Sequence, residues 1–189
     1  MSLNIGDIER KTQNRIVELF KSQLKYDYLG NWEEGRENSN IEEEYLRLFL
    51  VRCGHSKTLI DKAIDRIKKC VSRSQMSLYD LNRETYSLLR YSAKEREGLG
   101  QHRQDVEFID WENPENNHFA IAEEVTIRGN RTKRPDIVLY VNGIAIGVLE
   151  LKRSIISVSE GIRQNIGNQK DDFIKPFFAT VQVVMAGND

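Results

Sequence analysis

The chain has 189 residues, with 28 Lys plus Arg against 29 Asp plus Glu and a formal net charge of −1, which excludes a tail-like polycation held on nucleic acid by bulk charge. Hydrophobic residues at 39% and only 3 prolines exclude a disordered chain. No apolar run approaches the ~18 residues of a membrane span, and two cysteines without a CxxC pair, with three scattered histidines, offer no disulfide framework or zinc site, so a reducing cytoplasm is the expected compartment.

The first half reads as helical. Asp7 to about Leu24 carries Ile8, Ile16, Leu19 and Phe20 on one broad side. Tyr26 to Trp32 is a loop or short strand. Asn40 is expected to N-cap a helix through about Arg52, with Ile41, Tyr45, Leu48 and Phe49 on its apolar stripe. Gly54 stops it, and a third helix runs from about Lys57 to Val71. Ser77-x-x-Asp80 opens a fourth that continues to about Tyr91. Gly98 and Gly100 end this region, and Trp111 to Asn117 is a turn-rich connector.

The second half is richer in β signals. Phe119 to Arg128 reads as a strand, Asp136 to Tyr140 as a β-branched strand, and Asn142-Gly143 as a hairpin turn leading to a strand over Ile144 to Leu151. Ser157-x-x-Glu160 opens a helix with Ile162 and Ile166 as its apolar residues, and Phe178 to Met185 reads as a further strand. The expected class is therefore α/β or α+β, one domain over 1–189 with a mainly helical part (1–100) and a β-rich catalytic part (101–189). The chain stops at Gly187-Asn188-Asp189, directly after an apolar strand, which fits a fragment of a longer polypeptide.

The chemistry gathers on the predicted hairpin. Asp136 begins one strand, and Glu150-Leu151-Lys152 closes its partner. Residues two apart on a strand share a face, so Glu150 and Lys152 project together. Asp136 joins them only if the hairpin departs from its simplest register. A plain two-residue Asn-Gly loop pairs Asp136 with Leu149 and puts it on the opposite face. A three-residue loop with left-handed Gly143, or a β-bulge, aligns all three. Two carboxylates and one ammonium suit Mg²⁺ and phosphate chemistry, with Lys152 placed to orient water or to stabilise developing charge. Glu-x-Lys alone says little, since Glu9-Arg10-Lys11 fits it in a surface helix. What distinguishes the second copy is the upstream Pro-Asp, the hairpin, and charges inside an apolar strand.

Pro135-Asp136, thirteen residues, then Glu150-Leu151-Lys152 resembles the PD-(D/E)xK nuclease motif. Asn31-Trp32 with Asn38 to Glu44, Ile109 to Asn117, Ile121 to Glu124 and Ser159 to Gln164 are similar to the N-terminal region of the R subunit of type I restriction–modification enzymes, over nearly the whole chain. The resemblance implies a restriction-endonuclease-like mixed sheet flanked by helices. It implies Mg²⁺, or Mn²⁺, on Asp136 and Glu150 with the Leu151 carbonyl, and Lys152 as essential for cleavage. It further implies double-stranded DNA as substrate, partner methylation and specificity subunits, and a motor ATPase following the nuclease region. ATP binding belongs to that other portion, since no G-x-x-x-x-G-K-[ST] loop occurs in this chain.

Members of the family often carry Gln-x-x-x-Tyr after Glu-x-Lys. Gln164 matches the glutamine and is expected to touch the DNA backbone or the site, whereas Asn168 stands where the tyrosine would be. Glu43 is a candidate additional acid, although an Asn40 cap would place it at the third helical position in a capping role. Arg128, Arg131, Lys133, Arg134, Lys152 and Arg153 share a window (128–153) whose only acids are Asp136 and Glu150, so Arg131, Lys133, Arg134 and Arg153 are expected phosphate contacts. By contrast, Glu33 to Glu44 is acidic. Such contacts position DNA without reading its sequence. The alternatives are a repair or recombination nuclease of the same fold, and a non-catalytic docking module that retains it.

Overall fold

The computed structural model describes residues 5–34, 38–152 and 156–188. Helix α1 (Ile5–Glu18) continues into one π-helical turn over Leu19–Gln23 and is followed by strand β1 (Asp27–Asn31). Helices α2 (Glu43–Arg52), α3 (Lys57–Val71) and α4 (Leu78–Tyr91) come next. Ser56 and Ser77 cap α3 and α4, their side chains accepting from the backbone N–H groups of Leu59 and Asp80. Two three-residue strands, β2 (Ala93–Glu95) and β3 (Gln104–Val106), pair antiparallel around the Gly98–Gly100 region. They are too short to leave an alternating signature in the sequence.

The main sheet contains β1, β4 (Phe119–Glu123), β5 (Ile137–Val141), β6 (Ile144–Lys152) and β7 (Val183–Asn188), in that spatial order. β5 runs antiparallel to both β4 and β6, whereas β1 and β7 run parallel to their neighbours at the two edges. Helix α5 (Val158–Asn168) makes the crossover from β6 to β7. The architecture is thus a mixed α/β fold, a mixed sheet flanked by helices. Among the described residues, no helix is long and apolar enough to cross a membrane.

One face of the sheet presents Ile121, Ile137, Leu149 and Leu151 to Val17 of α1. The other buries Ala120, Ala122, Val138, Tyr140 and Val148 with Trp32, Phe177 and Phe178. At the hairpin end, Ile41 and Ile144 join the core of α2, α3 and α4, including Leu46, Leu50, Leu59, Ile60 and Ile67. The helical segment and the first residue of β6 therefore share one set of apolar contacts.

Several expectations are corrected here. Asn40 does not cap α2. Its carbonyl accepts from Ala145 N–H, and its side-chain amide donates to the Pro176 carbonyl, so tertiary pairing with the hairpin overrides local capping. Glu42 stands at the N-cap position without a side-chain cap, which makes Glu43 the first helical residue, not the third. The strand expected to reach Arg128 ends at Glu123, because Glu124 turns to positive φ (51°). Phe177–Ala179 is a buried 3₁₀ turn, and the last strand begins only at Val183.

The turn between β5 and β6 has positive φ at Asn142 (50°) and Gly143 (80°), the two-residue geometry that Asn-Gly favours. A Cβ on Gly143 would lie 2.5 Å from the Glu42 carbonyl oxygen. Gly143→Ala is therefore expected to lower unfolding free energy by roughly 1–3 kcal/mol or more, from backbone strain together with the clash. A urea melt with an unchanged midpoint would contradict this.

Candidate active site

Beyond the turn, Val141 pairs with Ile144 and Tyr140 with Ala145, but Leu139 pairs with Gly147. Ile146 is the extra residue of a β-bulge, and its carbonyl accepts from Gln182 N–H just before β7. The bulge shifts the register by one, so Val138 faces Val148 and Ile137 faces Leu149. Continuing the ladder sets Asp136 opposite Glu150, on the face that also carries Lys152. Of the hairpin geometries that could align the three groups, the chain uses a two-residue turn plus a bulge, a device common beside functional sites. Leu151 N–H donates to Asp136 Oδ2 at 2.6 Å and fixes the carboxylate at the end of the strand pair.

Glu150 is fully buried. Its Oε2 accepts from Gln164 Nε2 at 2.6 Å and lies 4.0 Å from Lys152 Nζ, while its Oε1 has no hydrogen-bond partner. Burial, reinforced by the negative charge of Asp136, pushes the Glu150 carboxyl up to about 8; Lys152 acts in the opposite direction. The site thus sets a buried carboxyl, Glu150, beside a half-buried one, Asp136, with Lys152 next to them.

Helix α5 completes the site through its small and polar face. A Cβ on Gly161 would lie 3.0 Å from Ala186 Cβ and 3.7 Å from Glu150 Cβ, so glycine allows the close approach that brings Gln164 onto Glu150. Gly161, Asn165 and Asn168 are buried, whereas Ile162 and Ile166 are 47% and 56% exposed. The isoleucines expected to seat this helix point outward instead. Packing against a polar site reverses the usual apolar-in arrangement. Asn168, in the position where a tyrosine was expected, is buried against the fold, its carbonyl accepting from Ile174 N–H.

The structure brings together Asp136, Glu150, Leu151, Lys152 and Gln164. Lys133 lies close enough to oppose the upward shift of Glu150, and its ammonium sits 4.5 Å from the centroid of the Phe173 ring. Arg131 packs over the same ring at 5.3 Å. Arg134 is held between Glu33 and Glu124, with Nε 2.8 Å from Glu124 Oε2, so much of its charge is already compensated. Arg153 lies outside the described residues. Glu43 is not brought to this cluster. It pairs with Arg47 and Lys68, and Glu42 N–H donates to the Gly143 carbonyl at the turn end of the hairpin. Glu150 is six residues along β6 from Ile144, roughly 20 Å at strand rise.

A residue without an assigned role in the sequence is Glu124. Its N–H donates to the Asp136 carbonyl at 2.9 Å, and its charge adds to the upward shift of Glu150. Its neighbour Glu123 serves the opposite face, where it accepts from Gln13 and Tyr28 and pairs with Arg10 of α1. The doublet at a strand end was the available signal, but only the β4–β5 register separates the two roles.

Comparison with known proteins identifies the family of the chain. A family described as Type I restriction enzyme R protein N terminus matches residues 8–189. The chain is 33% identical over 114 residues to a putative type I restriction enzyme MjaVIIIP endonuclease subunit of Methanocaldococcus jannaschii, covering 60% of this chain and 11% of that protein. It is 28% identical over 162 residues to the type I restriction enzyme HindI endonuclease subunit of Haemophilus influenzae, covering 81% of this chain and 15% of that one. The chain thus spans a small part of the length of these curated relatives.

Proposed function

The chain belongs to the family of type I restriction enzyme R protein N termini, and on that premise we propose that it is the DNA-cutting part of an R subunit, hydrolysing phosphodiester bonds with Mg²⁺ held by Asp136 and Glu150. The observation that carries this reading is the buried Glu150 carboxylate, whose Oε1 has no partner and which stands beside a second acid. A buried acid beside a second carboxylate costs stability when ionised unless a cation joins it.

The donor set fits a small hard cation. Among the described residues, no three or more His, Cys, Asp or Glu side chains are grouped to hold a metal. Two carboxylates with the Leu151 carbonyl leave the remaining positions to water and substrate phosphate, as suits Mg²⁺ or Mn²⁺. When bound, such an ion supplies charge stabilisation at the phosphate and makes water easier to deprotonate. Lys152, largely shielded from solvent, orients the attacking water and stabilises developing negative charge. Gln164 holds Glu150 in one rotamer by its 2.6 Å hydrogen bond. Lys133, Arg131 and Arg153 supply phosphate contacts, with Arg134 contributing less because its charge is already compensated. In the whole R subunit this region works with a translocating ATPase and with methylation and specificity subunits.

Supercoiled-plasmid cleavage by the assembled enzyme tests the reading. Asp136→Asn is expected to abolish cutting while ATP hydrolysis on the same DNA continues; normal cutting would overturn the assignment. Gln164→Leu is expected to weaken Mg²⁺ binding by about 10–100-fold, the usual loss when a group that orients a ligand is removed. Calorimetric titration that finds unchanged affinity would remove Gln164 from the site.

A further inference from the structure

A second surface stands apart from the hairpin site. Lys62, Arg66 and Lys69 follow one another at intervals of four and three residues along α3, a single helical stripe, and Arg73 stands just past the helix end at Val71. They line one wall of an open groove of about 1210 Å³, whose other walls are α4 and the β2–β3 hairpin. Lys94, Arg96 and Arg103 line the hairpin side.

The charge in this groove is only partly compensated. Its seven cations meet three acids, Asp65, Glu84 and Glu95, each paired with one cation of this wall: Lys69, Arg73 and Arg66. Lys94 pairs with Asp105, just outside the groove. Lys62 donates to the carbonyls of Arg96 and Glu97, which leaves its charge unneutralised. Arg96 and Arg103 have no acidic partner among the described residues. The whole chain has a net charge of −1, so this local surplus is a segregation of charge and not a bulk property. At the rim, Tyr91 and Leu99 are exposed.

We propose that this groove is a second nucleic-acid contact, which holds the phosphate backbone of duplex DNA away from the cutting site. The helical stripe from Lys62 to Lys69 spans about 10 Å at 1.5 Å per residue, a length over which one DNA strand presents about three phosphates. The inner face of α3 packs into the core that contains Ile144, the first residue of β6. Glu150 lies on the order of 20 Å further along that strand. A duplex bound in the groove is therefore held at a point distinct from the one that is cut, and steadies DNA during cleavage without reading its sequence. The proposal rests on the nuclease reading for the identity of the polyanion, but its test does not depend on cleavage.

The test is the salt dependence of binding of the chain to a 30-bp duplex, followed by fluorescence anisotropy. Lys69→Ala, Arg96→Ala and Arg103→Ala together remove three exposed cations. The slope of log K against log salt is expected to become shallower by roughly 2–3, near 0.9 for each phosphate that is no longer neutralised. Between 50 and 200 mM salt the affinity of the variant then falls about 40-fold less than that of the parent. A control that replaces Lys25, Lys57 and Lys170, also exposed, is expected to leave the slope unchanged. An unchanged slope in the groove variant overturns the proposal, as does an equal drop in the control or no duplex binding by the parent. Intact duplex binding with lost association to an acidic partner subunit also overturns it and assigns the groove to protein docking. Failure of the nuclease reading is read independently, from cleavage by the assembled enzyme and not from the slope.

Discussion

Lys152→Ala is expected to reduce cleavage by the assembled enzyme by about 10²–10⁴-fold, the span found when a positioned proton-handling or charge-stabilising group is removed. Lys152 lies at the end of β6, on the face of Glu150 and Asp136. Its stem packs beneath α5, where a Cβ on Gly161 would lie 3.5 Å from Lys152 Cγ. Its ammonium is thus held on rigid backbone, not on a mobile loop. Alanine removes the charge with little loss of core, because the aliphatic stem covers a helix that Gly161 and Asn165 already seat. Circular dichroism and melting temperature are expected to match the parent. Lys152→Arg is not expected to rescue cutting, since a planar guanidinium does not reproduce a compact ammonium. Cleavage by Lys152→Ala within a few-fold of the parent would show that the lysine is a structural partner of Glu150 only.

The second large effect concerns stability. The Glu150 carboxyl is held up to about 8, first by burial and then by Asp136, against an ordinary value of 4.5. Below 4.5 both folded and unfolded chains carry the proton, and pH has no leverage through this group. Between 4.5 and 8 the folded chain binds the proton more tightly, so stability falls as pH rises, by roughly 1.4 kcal/mol per pH unit at most. Above 8 both states are ionised and the loss is complete. In EDTA, the melting temperature of the chain is therefore expected to drop from pH 5 to pH 8.5. Glu150→Gln, which cannot ionise, is expected to show a flatter profile and to be the more stable protein at pH 8.5. Mg²⁺ is expected to restore the parent and to leave the variant unmoved. Parallel pH profiles for the two proteins would contradict the account of a Glu150 carboxyl raised by burial beside Asp136.

These effects depend on a register that was only partly legible. The Asn142-Gly143 turn was readable because two consecutive positive φ values select those residues. The alignment of Asp136 with Glu150 was readable only as a requirement. The bulge that satisfies it, at Ile146, is held by Gln182 from the far side of α5. No local pattern announces a hydrogen bond across thirty-six residues. Capping serines at Ser56 and Ser77 act locally, and the helix starts they mark match the sequence.

Helix α5 failed for the opposite reason. Periodicity ranks Ile162 and Ile166 as the buried face, yet the helix lies against carboxylates and must offer glycine and amides to them. Asn40 failed because its carbonyl and amide are used by Ala145 and Pro176, partners over one hundred residues away. Glu124 carried no distinguishing local signal from Glu123. Only the pairing of β4 with β5 sends one to α1 and the other toward Asp136. The departures thus concentrate around the site, where polar function and long-range pairing outweigh local propensity.

The central claim is that Asp136 and Glu150 together hold a divalent cation. Isothermal titration of Mg²⁺, and of Mn²⁺ as the tighter-binding substitute, into the chain and into its Glu150→Ala variant tests it most directly. The account predicts one site in the parent and none in the variant at the same concentrations. Equal binding by both proteins, or no binding by the parent, would contradict it.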